Sequence, residues 1–152
     1  MTRPKVRFCL VFERELVSVP VMRRVLGDTL REIGVNEESV DDILLAATEA
    51  CTNVVLHAGQ SALAYEVAAT VDRAGCRVEV TDAGQGCRPR FARARLRAAR
   101  NGDYADLAES GRGLAIMRAC VDGVTLRSAP GRGTQVVLDK RLEWEGPLRR
   151  SA

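Results

Sequence analysis

Strand-like segments in this sequence arrive in adjacent pairs joined by turn chemistry, and this pattern limits the possible folds more than any other feature. Leu63 to Val71 and Cys76 to Thr81 read as strands, and Asp72 to Gly75 between them has hairpin-turn composition. Val124 to Ser128 and Thr134 to Lys140 are likewise joined by Ala129-Pro130-Gly131-Arg132-Gly133. Another β-rich run, Val6 to Phe12, lies near the start. Helical signals cluster early. Ser18 ahead of Pro20 opens a helix in which Val21, Val25, Leu26, Leu30 and Ile33 recur at helical spacing, and Gly34 closes it. Asn36 caps a second helix, with Glu37 and Glu38 in its first turn, that runs to about His57 and is ended by Gly59. Leu114 to Cys120 is a short third helix. Early helices and strands paired with their sequence neighbours predict an α+β fold, a mixed or antiparallel sheet with helices on one face.

The chain has 152 residues, which suits a single domain over 1–152 with a polar, frayed tail from about 145. Apolar residues make up 46% but aromatics only 4%, so Val, Leu, Ile and Ala must form the core. No run of roughly 18 apolar residues is present, so no membrane helix is expected. Met1-Thr2-Arg3-Pro4-Lys5, soon followed by Glu13 and Arg14, is too polar for a secretory signal, and a cytoplasmic location is the expectation. A net charge of +3 is too weak to argue for direct nucleic-acid binding. The five cysteines are odd in number and form no C-x-x-C pair, which points to buried free thiols rather than a zinc site.

Four short segments carry chemistry, and each has a plain structural alternative. Glu49 and Asn53 lie four residues apart on one helix face, while Ile43, Leu44, Ala47, Ala50 and Val54 form the flank that should pack on the sheet. They are either a surface pair or hard-oxygen groups at a magnesium site, with Asn53 as ligand and Glu49 polarising a water or hydroxyl. Asp82-Ala83-Gly84-Gln85-Gly86 follows an apolar strand. It is either a turn, or a carboxylate placed to accept from an adenine amino group, with Gly84 and Gly86 admitting a ligand close to the backbone. Ser110-Gly111-Arg112-Gly113 precedes the Leu114 helix and is either a hinge or a phosphate cradle of free backbone N–H groups. Gly131-Arg132-Gly133-Thr134 is either a plain hairpin turn or a device that sets the Thr134 hydroxyl near a base.

In that order, Glu49…Asn53, Asp82-x-Gly84-x-Gly86, Gly111-x-Gly113-Leu114 and Gly131-x-Gly133-Thr134 resemble the N, G1, G2 and G3 boxes of the GHKL ATPase superfamily, which includes gyrase, histidine kinases and MutL. The resemblance spans about residues 40 to 140. The wording Ala47-Thr48-Glu49-Ala50-Cys51-Thr52-Asn53-Val54-Val55-Leu56-His57-Ala58 is similar to a small stand-alone branch, the bacterial anti-sigma factor serine/threonine kinases.

This resemblance implies the Bergerat fold, a two-layer α/β sandwich with a mixed, mainly antiparallel sheet and helices on one face. It implies ATP and Mg²⁺ as cofactors. Glu49 would be the general base, Asn53 the Mg²⁺ ligand, Asp82 the reader of the adenine amino group and Thr134 its helper. Gly84 and Gly86 would shape the base pocket, and Gly111, Arg112, Gly113 and the Leu114 helix would lie against the phosphates. The implied function is sequestration of a sigma factor together with phosphorylation of an anti-anti-sigma (STAS-type) protein on serine. The implied assembly is a homodimer using N-terminal surfaces within Val6 to Arg31. Arg88 to Arg100 carries six arginines and no acid where the superfamily places its ATP lid, and is either a solvated loop or a source of phosphate or partner contacts. His57, the sole histidine, reads as a structural residue near the pocket rim. Two other functions stay open: a non-catalytic ATP-binding module that sequesters a partner, and an ATPase subunit of a larger machine.

Overall fold

The computed structural model describes residues 5–57, 63–84, 111–129 and 133–146. In chain order these form β1 (Val6–Glu13), α1 (Ser18–Glu32), α2 (Glu37–His57), β2 (Ala64–Val71), β3 (Gly75–Gly84), α3 (Gly111–Cys120), β4 (Gly123–Ala129) and β5 (Gly133–Arg141). The sheet order is β1-β2-β3-β5-β4, and every described pairing is antiparallel. The two hairpins expected from turn composition, β2–β3 and β4–β5, are both present. In the first, Asp72 Oδ1 accepts from the N–H groups of Ala74 and Gly75, which closes the turn locally. Among the described residues no helix is long and apolar enough to cross a membrane.

Alternation along the strands decides which face meets the helices. Tyr65, Val67, Ala69 and Val71 of β2, Val78 and Val80 of β3, and Val136 and Leu138 of β5 are buried against them. From the helix side come Met22, Leu26 and Leu30 of α1, Val40, Ile43, Ala47, Ala50, Cys51 and Val54 of α2, and Met117 of α3. With so few aromatics, small and branched side chains fill this layer, and α2 lies close to the sheet through its alanines.

Both helix-boundary signals around residue 35 operate as their chemistry requires. Gly34 has φ 91°, the left-handed conformation that ends α1, and its N–H donates to the Arg31 carbonyl. Asn36 Oδ1 accepts from the Ser39 N–H at 2.9 Å and caps α2. Three details differ from the sequence reading. The packing stripe of α1 is Val19, Met22, Leu26 and Leu30, whereas Val21 and Val25 are exposed. Ser18 does not cap α1 but is its first residue, with its hydroxyl turned to the Glu15 carbonyl and to Tyr65. β3 runs three residues beyond Thr81, so Asp82 lies inside a strand and not after it. The expected stop at Gly59 and the tail beyond 146 lie outside the described residues.

Lys140 fastens the layers at one end. Its ammonium donates to Asp42 Oδ2 of α2 at 3.0 Å and to the Cys120 carbonyl at 2.8 Å, the last residue of α3. A cation on terminal helix carbonyls also complements the helix dipole. This clip is largely shielded, unlike the exposed Arg24–Asp28 pair on α1 at 4.0 Å. Lys140→Ala is therefore expected to lower stability by about 1–2 kcal/mol, and Arg24→Ala by less than about 0.5 kcal/mol. Urea midpoints of the two variants check this, and equal midpoints would contradict it.

Candidate functional site

The α2 segment from Leu44 to Asn53 is held on two sides. Arg23 of α1 donates to the Leu44 carbonyl at 3.3 Å and to Thr48 Oγ1 at 2.5 Å, and Thr48 in turn donates to the Leu44 carbonyl at 2.6 Å. This fixes the turn of α2 immediately before Glu49. On the other side comes the first turn of α3. A Cβ placed on Gly113 would stand 3.2 Å from Glu49 Oε2, 3.3 Å from Asn53 Nδ2 and 3.6 Å from Asn53 Oδ1. Glycine is thus what lets the α3 backbone come up to the two polar groups, and a carboxylate, an amide and a helix N-terminus meet at one spot. Glu49 and Asn53 are both half-buried. They are not a surface pair on a free helix.

Gly111, Arg112 and Gly113 do not precede α3 but form its first turn. The N–H groups of a first helical turn lack intrahelical acceptors, so the donor set expected of a preceding loop is kept within the helix itself. Arg112 is exposed there and Leu114 half-buried.

Asp82 is 4% exposed and turns to the helix side of the sheet. Its setting comes from a bulge. Tyr65 pairs with Asp82 but Ala64 pairs with Gly84, which leaves Ala83 as the extra residue of β3. Such an insertion bends the strand and redirects the side chains beside it. On the opposite flank the β3–β5 ladder reaches Thr81↔Gln135, so the next position along each strand sets Asp82 beside Thr134. Phe12, Tyr65, Asp82 and Thr134 therefore follow one another across β1, β2, β3 and β5 on the helix-facing side. Gly133, at φ 83°, starts β5 just ahead of Thr134, which pairs with Ser128.

Behind this row stands a polar chain that the sequence reading missed. The Tyr65 hydroxyl is hydrogen-bonded to Ser18 Oγ of α1, and the Cys51 thiol of α2 lies beside it. Burial pushes the Tyr65 phenol and the Cys51 thiol each up to about 12, so both stay neutral. The available signal was the alternation that puts Tyr65 on the inner face with Val67, Ala69 and Val71. Its partnership with Asp82 needs the register. Of the remaining sequence candidates, Gly84 ends β3. Gly86, Gly131, Arg132 and the arginine-rich segment 88–100 lie outside the described residues, as does the His57 side chain.

The site offers an amide and a carboxylate beside the first turn of α3 at one end, and a buried carboxylate next to Thr134 at the other. A carboxylate and a side-chain amide beside a helix N-terminus are donor types that suit a magnesium ion and phosphates. Residues 12–140 match the family model of the histidine kinase-like ATPase domain. The chain is 28% identical over 109 residues to the anti-sigma F factor of Clostridium acetobutylicum, covering 69% of this chain and 72% of that protein. It is 32% identical over 112 residues to the anti-sigma F factor of Pasteuria penetrans, covering 70% and 71%. The crystal structure of the RsbU and RsbW domains of a Mycobacterium tuberculosis protein matches with a TM-score of 0.66 at 24% identity. That likeness of fold covers 91% of this chain and 33% of the other.

Two buried thiols near this layer give a pH dependence. Burial pushes the Cys76 thiol, like that of Cys51, up to about 12 from an ordinary 9.0. Above about 9 the unfolded chain releases thiol protons that the native chain keeps, so stability is whole below about 9 and falls as pH rises toward 12. Urea midpoints at pH 8 and pH 10 test this on the wild type and on Cys76→Ala. The wild type should lose more on going to pH 10, and an equal loss in both would contradict it.

Proposed function

Because the chain belongs to the histidine kinase-like ATPase family, we propose that it is an ATP-dependent anti-sigma factor with serine/threonine protein kinase activity. The observation that carries this reading is the meeting of Glu49, Asn53 and the Gly113 turn of α3. It joins the acid, the amide and the N–H donors that nucleotide chemistry needs.

In this proposal Glu49 is the general base, which takes the proton from the serine hydroxyl of a protein antagonist. Asn53 presents its amide oxygen to Mg²⁺, and the bound ion neutralises phosphate charge. Gly111, Arg112 and Gly113 face the phosphates with backbone donors and the positive end of the α3 dipole, backed by Leu114. Asp82 accepts from the adenine amino group, Thr134 assists from the neighbouring strand, and Gly84 and Gly86 shape the wall. Phosphoryl transfer needs little covalent help from a protein, so positioning of this kind accounts for most of the work. The partners are those that the relatives' names and the motif resemblance suggest: a sigma factor held inactive, and an anti-anti-sigma protein that becomes phosphorylated. The location that fits these partners is the cytoplasm.

Glu49→Gln is expected to reduce phosphate transfer to the antagonist by about 10²–10⁴-fold while leaving Mg-ATP affinity unchanged. Labelled ATP and calorimetry check the two halves. Sequestration without any transfer by the wild type would favour the non-catalytic binding module, and equal loss of transfer and binding would count against the role of Glu49.

The same proposal includes a homodimer through the N-terminal surfaces. It is supported by exposed apolar side chains there: Leu16 and Val17 before α1, and Val21 and Val25 on it. Val21 and Val25 lie one turn apart on α1, and Val17, its N-cap, precedes them at the same spacing. Val21→Asp should convert the dimer to monomer in sedimentation equilibrium. A wild type that sediments as a monomer at micromolar concentration would overturn this part alone.

A further inference from the structure

The Ser18–Tyr65 hydrogen bond has a definite direction. Ser18 has one hydroxyl proton, and it goes to the Glu15 carbonyl at 2.6 Å. Tyr65 must therefore donate to Ser18 Oγ. The Cys51 thiol of α2 lies beside the same hydroxyl. The chain runs Tyr65 to Ser18 to Glu15, from the sheet to the surface at the start of α1.

Tyr65 is fully buried. Its ring is flanked by Phe12 on one side, with centroids 5.6 Å apart and planes tilted by 37°, and on the other side its strand partner is Asp82. Directly opposed residues on one sheet face have Cβ atoms about 4.5–5.5 Å apart. A tyrosine tethered at its tip by both helices thus stands at the bulge that aims Asp82. Phenylalanine would fill the same volume for core packing. The hydroxyl, and the two partners it satisfies in a buried place, are what a mere filler would not need.

We propose that Tyr65 is a positioning residue for base selection: anchored through Ser18 and Cys51, its ring holds the Asp82 carboxylate in the orientation that accepts from a purine amino group. This rests on the role given to Asp82 above. Loss of the tether lets the ring and the bulged strand relax, and the carboxylate loses aim without losing charge. The effect falls on ligands that carry the amino group and spares those that do not.

The test is Mg²⁺-dependent affinity for ATP and for purine riboside triphosphate, which lacks the amino group, measured by calorimetry. The wild type, Tyr65→Phe and Ser18→Ala are compared, with thermal midpoints recorded. Tyr65→Phe is expected to shrink the preference for ATP about threefold to tenfold, the worth of one oriented hydrogen bond. Affinity for the analogue should stay the same. Ser18→Ala, which cuts the chain away from the Asp82 row, should shift the preference in the same direction by a smaller factor. It decides the matter if Tyr65→Phe does not fold. A wild-type preference retained in both variants, or equal losses for both nucleotides, would overturn the proposal and leave Tyr65 a core residue. A wild type with no preference at all would instead remove the assignment of Asp82, and this inference with it.

Discussion

Helix α2 has to satisfy two surfaces at once, and the arrangement of the site depends on that. One side of it is pressed against the sheet through Ala47, Ala50, Cys51 and Val54, residues short enough to bring helix and sheet close together. The edge next to that side carries Glu49 and Asn53, and there α3 arrives with a glycine and no side chain. A larger residue at 113 would have to push aside the very groups it faces. The close approach is secured elsewhere, by Lys140 clipping the start of α2 to the end of α3, and by Arg23 holding the turn of α2 before Glu49.

The two ends of the site are built differently. At the Glu49 end the groups come from helices, and their polarity is served by the first turn of α3 and by partial exposure. At the Asp82 end the groups come from adjacent strands, and a carboxylate is buried at a bulge beside a neutral, hydrogen-bonded tyrosine. Tyr65 and Cys51 join the two ends. Cys51 sits between Glu49 and Asn53 in sequence, yet points to the opposite side of α2 and reaches the strand partner of Asp82.

The surface of α1 has two faces. Its inner stripe packs in the core, and its outer stripe of valines is exposed. Between the stripes sits Arg23, bonded to α2, and at the start of the helix sits Ser18, bonded to Tyr65. A partner seated on the outer stripe would bear on the same helix that holds both ends of the proposed nucleotide site.

Much of this was legible in the sequence because the signals are local. Turn chemistry at Asp72 to Gly75, the Asn36 cap and the Gly34 terminus each act within a few residues, and each is present in the structure. The pairing of Glu49 with Asn53 follows from helical spacing alone, and the order of glycine turns suggested the family. What the sequence could not decide depends on register and on approach between distant segments. Helical spacing grouped Val21 and Val25 with Leu26 and Leu30, but packing buries Met22, Leu26 and Leu30 and leaves the two valines exposed. No local signal marks the extra residue at Ala83, because a bulge exists only relative to a partner strand. Nor does one mark Gly113 as the glycine facing Glu49 and Asn53, or Tyr65 as the neighbour of Asp82. Those relations join residues tens of positions apart, and only the packed sheet and helices bring them together.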